Sequence, residues 1–314
     1  MKKFLQRFLL LSFIIIFCFM LMALSGMFMI GSQFEESYTA SLTDKIARLK
    51  SINEPKIILE TDSNLAFGIN SPMLQEAINM PVVNLGLHSG FGNAFNENMM
   101  KQNLNSGDIV IVCHLIFSDD NTIQDTSLMW KTIEYNKELW EILRPEDYYE
   151  MLHAWPDYWL DSFRAWTSGH NDYKPPYSRT SFNKYGDVAK RPEEVRKTLD
   201  VLLKERKVRV HDINDTCINR LNELNRYVTE RGAVLLVAGY PIISVDITPP
   251  KEDYDKFTRE LSERLSCDVI SYYRDYLIPA EYFYDTIFHL DEQGADIRTL
   301  QLIKDIKKWQ SKHK

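Results

Sequence analysis

The pattern of apolar and polar positions begins with one long apolar run. From Phe8 to Ile30 no charged residue occurs, a length sufficient to cross a bilayer as a single helix. Lys2, Lys3 and Arg7 precede the run, and Glu35 and Glu36 follow it. The positive-inside rule then keeps the N-terminus cytoplasmic and places the main domain outside, in the periplasm or at the cell surface. The alternative is a signal peptide cut near Ala23-Leu24-Ser25-Gly26, but the run exceeds the usual core of such peptides and favours a retained anchor over residues 1–31. Either reading exports the domain.

Residues 32–54 are polar and helix-compatible and read as a linker leading away from the membrane. A regular alternation follows in residues 55–314. Short apolar runs at 56–60, 82–85 and 108–114 read as strands, as do Ala233 to Ala238 and Asp268 to Ile270. Helical segments separate them; one opens at Ser71-Pro72, with serine as N-cap and proline in the first turn. In the last helix, Ile297, Leu300, Ile303 and Ile306 recur at three-residue steps and are expected to dock on the sheet. Strands that are apolar on both sides and alternate with helices predict a parallel sheet covered on both faces. The expected fold is therefore α/β: a flavodoxin-like three-layer α/β/α sandwich with about five parallel strands.

Residues 118–215 break the alternation and read as a helical insertion. They hold five of the six tryptophans: Trp130, Trp140, Trp155, Trp159 and Trp166. These rings suit the core of the insertion, and equally a glycan- or acyl-binding groove or a membrane surface.

Charge and cysteine content narrow the functional classes. A formal net charge of -7 argues against broad nucleic-acid binding. Cys18, Cys113, Cys217 and Cys267 fit no zinc or redox spacing. Cys113 reads as a buried apolar residue, and a Cys217–Cys267 disulfide stays open. No phosphate-binding Gly-x-x-x-x-Gly-Lys occurs, and neither cofactor nor metal is expected. His88, His114, Asp119, Asp120 and His289 lack metal-ligand spacing. Tyr185-Gly186-Asp187 reads as a turn within the insertion.

The candidate chemistry joins the two ends of the domain. Thr61-Asp62-Ser63-Asn64 directly follows the first strand, while Asp285 and His289 lie after the fifth. In an open parallel sheet the ligand crevice forms beyond the carboxyl ends of the strands. A serine there becomes a useful nucleophile only if an imidazole removes its proton, and an aspartate can orient that imidazole. The four-residue spacing of Asp285 and His289 permits contact across one helical turn. Backbone N–H groups near Ser63 and Gly86, with the Asn64 amide, are candidate oxyanion donors. Each residue also has an ordinary structural reading: Ser63 as a backbone-satisfying turn serine, Asp285 and His289 as a structural pair, and Asp291 as a helix N-cap.

These residues resemble the SGNH (GDSL) hydrolases, which carry a Gly-Asp-Ser block after strand one, a glycine after strand two, an asparagine after strand three and a late Asp-x-x-His block. Asp62-Ser63, the glycine of Asn84-Leu85-Gly86, Asp285 and His289 match that pattern over roughly residues 55–117 and 230–310. Asp62-Ser63-Asn64…Gly68-Ile69-Asn70-Ser71 and His289-Leu290…Gly294…Arg298-Thr299 narrow the likeness to anchored members linked to cell-surface polysaccharides and, more distantly, to the teichoic-acid D-alanyl-transfer protein. Thr61 replaces the first glycine, and three residues instead of two separate Asp285 from His289. The third strand ends in Val112-Cys113-His114-Leu115 without the asparagine, leaving His114 as a substitute donor. The resemblance implies an acyl esterase or acyltransferase acting on an acylated envelope glycan or lipid-linked precursor, with a membrane-embedded acyltransferase as partner. A binding or scaffold subunit on the same fold is the alternative.

Overall fold

The computed structural model describes the whole chain except residues 27–29, 31, 115–116, 118–121, 135, 170–171, 206–207 and 314. Among the described residues seven strands run in chain order: β1 Ile57–Glu60, β2 Val82–Asn84, β3 Ile109–Val112, β4 Val234–Val237, β5 Ile242–Ser244, β6 Asp268–Val269 and β7 Leu277–Pro279. The helices before β2 are α1 Lys2–Ser25, α2 Leu42–Ser51, α3 Ser63–Gly68 and α4 Ser71–Ile78. α5 Asn93–Met100 precedes β3, and α6 Thr126–Ile133, α7 Pro145–Ser168, α8 Leu199–Glu205 and α9 Asp215–Thr229 precede β4. α10 Lys251–Arg264 and α11 Glu292–Lys312 complete the set.

The main sheet is parallel throughout, in the order β2-β1-β3-β4-β6. This is the flavodoxin-like order, and side-chain alternation explains its two covered faces. Ile58, Val110, Val112, Leu235 and Val237 point to one face and meet α2, α5, α9 and α10. Ile57, Leu59, Ile109, Ile111 and Leu236 point to the other, where α4 and α11 bury Leu74, Leu302, Ile303 and Ile306. A separate parallel pair, β5 with β7, was not legible in the apolar pattern because each strand has only three residues.

Several local expectations change. Asn70, not Ser71, caps α4, its side chain accepting from the Met73 N–H; Pro72 still lies in the first turn. Residues 32–54 are not a free linker: α2 buries Leu42, Ile46 and Leu49, spaced along one helical face, against the core. On α11, Ile303 and Ile306 dock as expected, but Ile297 and Leu300 are exposed. Three-residue steps fall short of a full turn, so the row drifts around the helix and its two ends face opposite ways. All four cysteines are free, with Cys113 and Cys217 in the core.

α1 is long and apolar enough to cross a membrane and buries none of its residues in the protein. In the insertion, Trp130 packs against Trp140 and Tyr158 as a local core. Trp155, Trp159 and Trp166 lie along α7.

Glu60, at the carboxyl end of β1, is fully buried, and neither carboxylate oxygen has a hydrogen-bond partner among the described residues. Burial, reinforced by the Glu97 charge, pushes its pKa up to about 8, against a weaker pull from Arg220. The folded state therefore holds a proton that the unfolded chain releases near ordinary glutamate pH. The stability this confers is fully present below the unfolded pKa and is lost as pH rises towards 8. Glu60→Gln is expected to remove that loss, a gain on the order of 5 kcal/mol at pH 9 with little change at pH 4.5. Melting curves across this range test it; a constant offset between the two proteins would contradict it.

Candidate active site

The site lies at the carboxyl edge of the sheet, where β1 ends and α3 begins. Asp62 caps α3 by accepting the Asn64 N–H at 2.8 Å, which turns the chain sharply and places Ser63 at the first helical position. Gly86 packs beneath this turn: a Cβ there would fall 2.6 Å from the Asp62 carbonyl oxygen and 2.5 Å from the Leu65 Cβ. The glycine of Asn84-Leu85-Gly86 is thus required by close approach.

Opposite Ser63 stands the loop before α11. Phe283 and Leu290 form an antiparallel bridge, the Tyr284 N–H donates to the His289 carbonyl, and Thr286 Oγ1 accepts the N–H groups of Phe288 and His289. Asp285 and His289 therefore meet across a pinched loop, not a helical turn. Asp291 caps α11, accepting the Gly294 N–H at 2.8 Å.

Ser63 Oγ lies 2.8 Å from His289 Nε2, and His289 Nδ1 lies 2.8 Å from Asp285 Oδ1. Ser63 is half-buried, while His289 and Asp285 are buried. The Phe67 ring stacks on the imidazole, centroids 4.0 Å apart and 5° from parallel, fixing its plane. Burial alone would raise the Asp285 carboxyl, but hydrogen bonding and charge from His289, with the Tyr177 hydroxyl bond, outweigh it and hold the pKa below the ordinary value. A hydroxyl, an imidazole and an ionised carboxylate in this order can activate the hydroxyl and stabilise the imidazolium that results.

Tyr177 comes from the insertion, 108 residues from Asp285, and donates to Asp285 Oδ2. No motif pointed to it, because nothing local in Lys174-Pro175-Pro176-Tyr177 relates it to a loop so distant. The same strand of insertion is tied down nearby. Tyr185-Gly186-Asp187 forms the expected turn, its three N–H groups donating to Asn183 Oδ1, and Asp187 accepts from Ser71 and Asn84. Gly186, at φ +100°, lies against the Asn84 carbonyl and leaves no room for a Cβ.

The candidate oxyanion donors are placed differently. Both Asn64 amide protons are engaged, by Asp62 Oδ1 at 2.7 Å and the Cys113 carbonyl at 3.2 Å. The Gly86 N–H donates to Asn84 Oδ1 at 3.0 Å. His114 is buried with Nδ1 3.2 Å from Thr61 Oγ1, and desolvation pulls its pKa down to about 3, so its imidazole is neutral. The structure thus brings Ser63, Asp285 and His289 together and gives Asn64, Gly86 and His114 supporting contacts. The first helical N–H, that of Ser63 itself, has no carbonyl within the helix to accept it.

His88 caps a short turn, its Nδ1 accepting the Gly90 N–H. Asp119 and Asp120 lie outside the described residues, among which no cluster of metal-ligating side chains occurs. A cleft of about 740 Å3 opens beside the site, lined by Arg191, Arg196, Glu281, Tyr282, Asp291 and Glu292 among others. Ser63, Asp285 and His289 do not line it; the link is Arg191, which lies over the buried Phe67 ring that stacks on His289. No family model, curated protein or solved structure matches the chain.

The Tyr177 hydroxyl gives a sharp test. Tyr177→Phe removes one of the bonds that hold the Asp285 carboxyl down, so activation of Ser63 is expected to fall about tenfold, the worth of one modest charge-assisted hydrogen bond. The acid limb of the rate profile should move to higher pH. Fluorophosphonate labelling rates measured across pH read both effects; an unchanged rate and profile would remove Tyr177 from the site's support.

Proposed function

We propose that the protein is an extracytoplasmic serine-dependent acyl esterase or acyltransferase, acting on a cell-envelope glycan or lipid-linked precursor. The hydrogen-bonded sequence Ser63–His289–Asp285 at the carboxyl edge of a flavodoxin-like sheet carries this reading. Ser63 Oγ attacks the acyl carbonyl while His289 Nε2 takes its proton. The acyl C–O bond of the donor ester then breaks, its alcohol oxygen leaves with that proton, and Ser63 holds the acyl group as an ester. Water or a sugar hydroxyl, deprotonated in turn by His289, then removes the acyl group. Asp285 orients the imidazole throughout, and the Ser63 N–H, which no carbonyl of its own helix accepts, is the backbone donor offered to the developing oxyanion.

The substrate class comes from the resemblance to anchored SGNH proteins of surface polysaccharides. The charged, polar lining of the cleft at the start of α11 supports it, since such a surface suits a hydroxyl-rich glycan better than a long acyl chain. The apolar helix α1 supports a single-pass protein with its main domain outside the cytoplasm and, as the resemblance implies, a membrane-embedded acyltransferase partner.

One observation favours a second reading, a glycan-binding scaffold. The Asn64 amide and the Gly86 N–H are already bonded within the protein, which leaves few donors for an oxyanion. Intact-mass analysis of the full-length protein after fluorophosphonate treatment separates the two. One adduct, absent from Ser63→Ala and His289→Ala, is the result expected of the enzyme. No adduct on folded protein would leave the scaffold reading.

A further inference from the structure

The helix α7 has three distinct faces, and only two are accounted for by the fold. At about 100° per residue, Asp147, Met151, Ser162 and Ala165 line the side turned into the protein. Glu146, Glu150, His153, Asp157, Asp161 and Arg164 fall together in a second, charged sector. Between them runs a broad stripe, Tyr149, Leu152, Trp159, Leu160, Phe163 and Trp166, that contains no charge. It is solvent-facing: Tyr149 is 66% exposed and Leu152 61% exposed. Trp159 stacks on Phe163, and Phe163 meets Trp166 at a tilt, with centroids 5.4 and 6.0 Å apart, so the rings form a continuous surface.

The position of α1 shows what covers this stripe. The last turns of α1 run against α7: Phe19 packs on Trp155 at 5.0 Å, and Trp159 Nε1 donates to Ser25 Oγ at 3.1 Å. A Cβ added at Gly26 would lie 3.4 Å from the Trp159 ring. The apolar stripe is therefore continuous with the end of the membrane-crossing helix. Tryptophan and tyrosine rings favour the headgroup boundary, and a helix with one apolar face lies in that plane.

We propose that α7 is an interfacial helix whose Tyr149–Trp166 stripe is embedded in the outer boundary of the bilayer beside α1, holding the domain against the membrane in one orientation. Its ligand is the lipid surface itself. Acids outnumber bases in the charged sector, so apolar burial provides the attachment and zwitterionic lipid suffices. The proposal rests on α1 being a retained anchor, and not on the chemistry at Ser63.

The full-length protein, in phosphatidylcholine nanodiscs with and without nitroxide-bearing acyl chains, provides the test. An environment-sensitive fluorophore is placed by Leu152→Cys, Phe163→Cys or, as control, Glu150→Cys, each with Cys18→Ser and Cys267→Ser. The Cys267→Ser protein labelled at its native Cys18 reports the anchor separately. Probes at 152 and 163 are expected to show blue-shifted emission and to lose most of it to nitroxide lipid, while the probe at 150 is unaffected. Equal behaviour at 150, 152 and 163 would overturn the proposal. So would blue-shifted emission at 152 and 163 without nitroxide quenching, which would mean that protein covers the stripe. Quenching at 18 alone would overturn the interfacial helix and leave the anchor standing; no quenching at 18 would remove the anchor, and the proposal with it.

Discussion

Ser63→Ala is expected to lower esterase activity on a small activated aryl ester by about 10⁴-fold or more, with the fold intact. The hydroxyl is half-buried and bonds to His289 at 2.8 Å, so its removal disturbs little packing. His289→Ala should cost a similar factor, because without the imidazole the serine proton has no acceptor. The two losses should not add in the double variant, since the groups act in one step. Asp285→Asn keeps the side chain's shape but alters the imidazole tautomer it can hold, and is expected to cost about 10³–10⁴-fold. Steady-state rates on purified variants, with thermal melts as the folding control, measure all three. Activity retained in folded Ser63→Ala would place the nucleophile elsewhere and end the proposed assignment.

The largest structural effect is expected at Arg298, which lies on α11 and is 1% exposed. Its guanidinium donates to the Asn64 carbonyl at 2.7 Å, to Asn64 Oδ1 at 3.0 Å and to the Gly239 carbonyl at 3.2 Å. It thereby ties the last helix to the turn that carries Ser63. Burial lowers its pKa, so the charge is retained at a cost that these acceptors offset. Arg298→Ala would open a cavity and leave buried carbonyls without donors. The expected loss is about 3–5 kcal/mol, or a fall in melting temperature of roughly 10 °C for a domain of this size. Arg298→Met keeps most of the volume without the charge and should be less damaging to stability. It should nevertheless reduce Ser63 reactivity, because the Asn64 side chain loses its anchor. If both variants melted like wild type, the guanidinium contacts would have no energetic role.

Much of this architecture was legible in the chain. The five main strands follow from short, mostly apolar runs alternating with helical segments, because burial on both faces favours apolar residues at most strand positions. The long apolar helix α1 follows from an uncharged run long enough for a bilayer. Ser63 follows β1 closely, whereas β7 of the separate pair intervenes between β6 and His289; the two are 226 residues apart, and the order of the elements still brings them to the carboxyl edge of the sheet. That is a consequence of element order, which a sequence carries openly.

Other features depend on contacts that no local pattern encodes. Thr286, and not a helical turn, shapes the loop that brings Asp285 to His289. The insertion returns to give Asp285 its Tyr177 partner. Hydrogen-bond saturation decides that the Asn64 amide faces Asp62 and Cys113 instead of the site, since its buried protons take the acceptors within reach. Similarly, Leu300 is as apolar as Leu302, and only the rotation of α11 against the sheet exposes one and buries the other. The sequence by itself determined which elements form and which residue types stand at the strand ends, because periodicity and topology are local or ordinal properties. The tertiary structure alone decided which donor meets which acceptor, because that is settled by packing between segments that are distant in the chain.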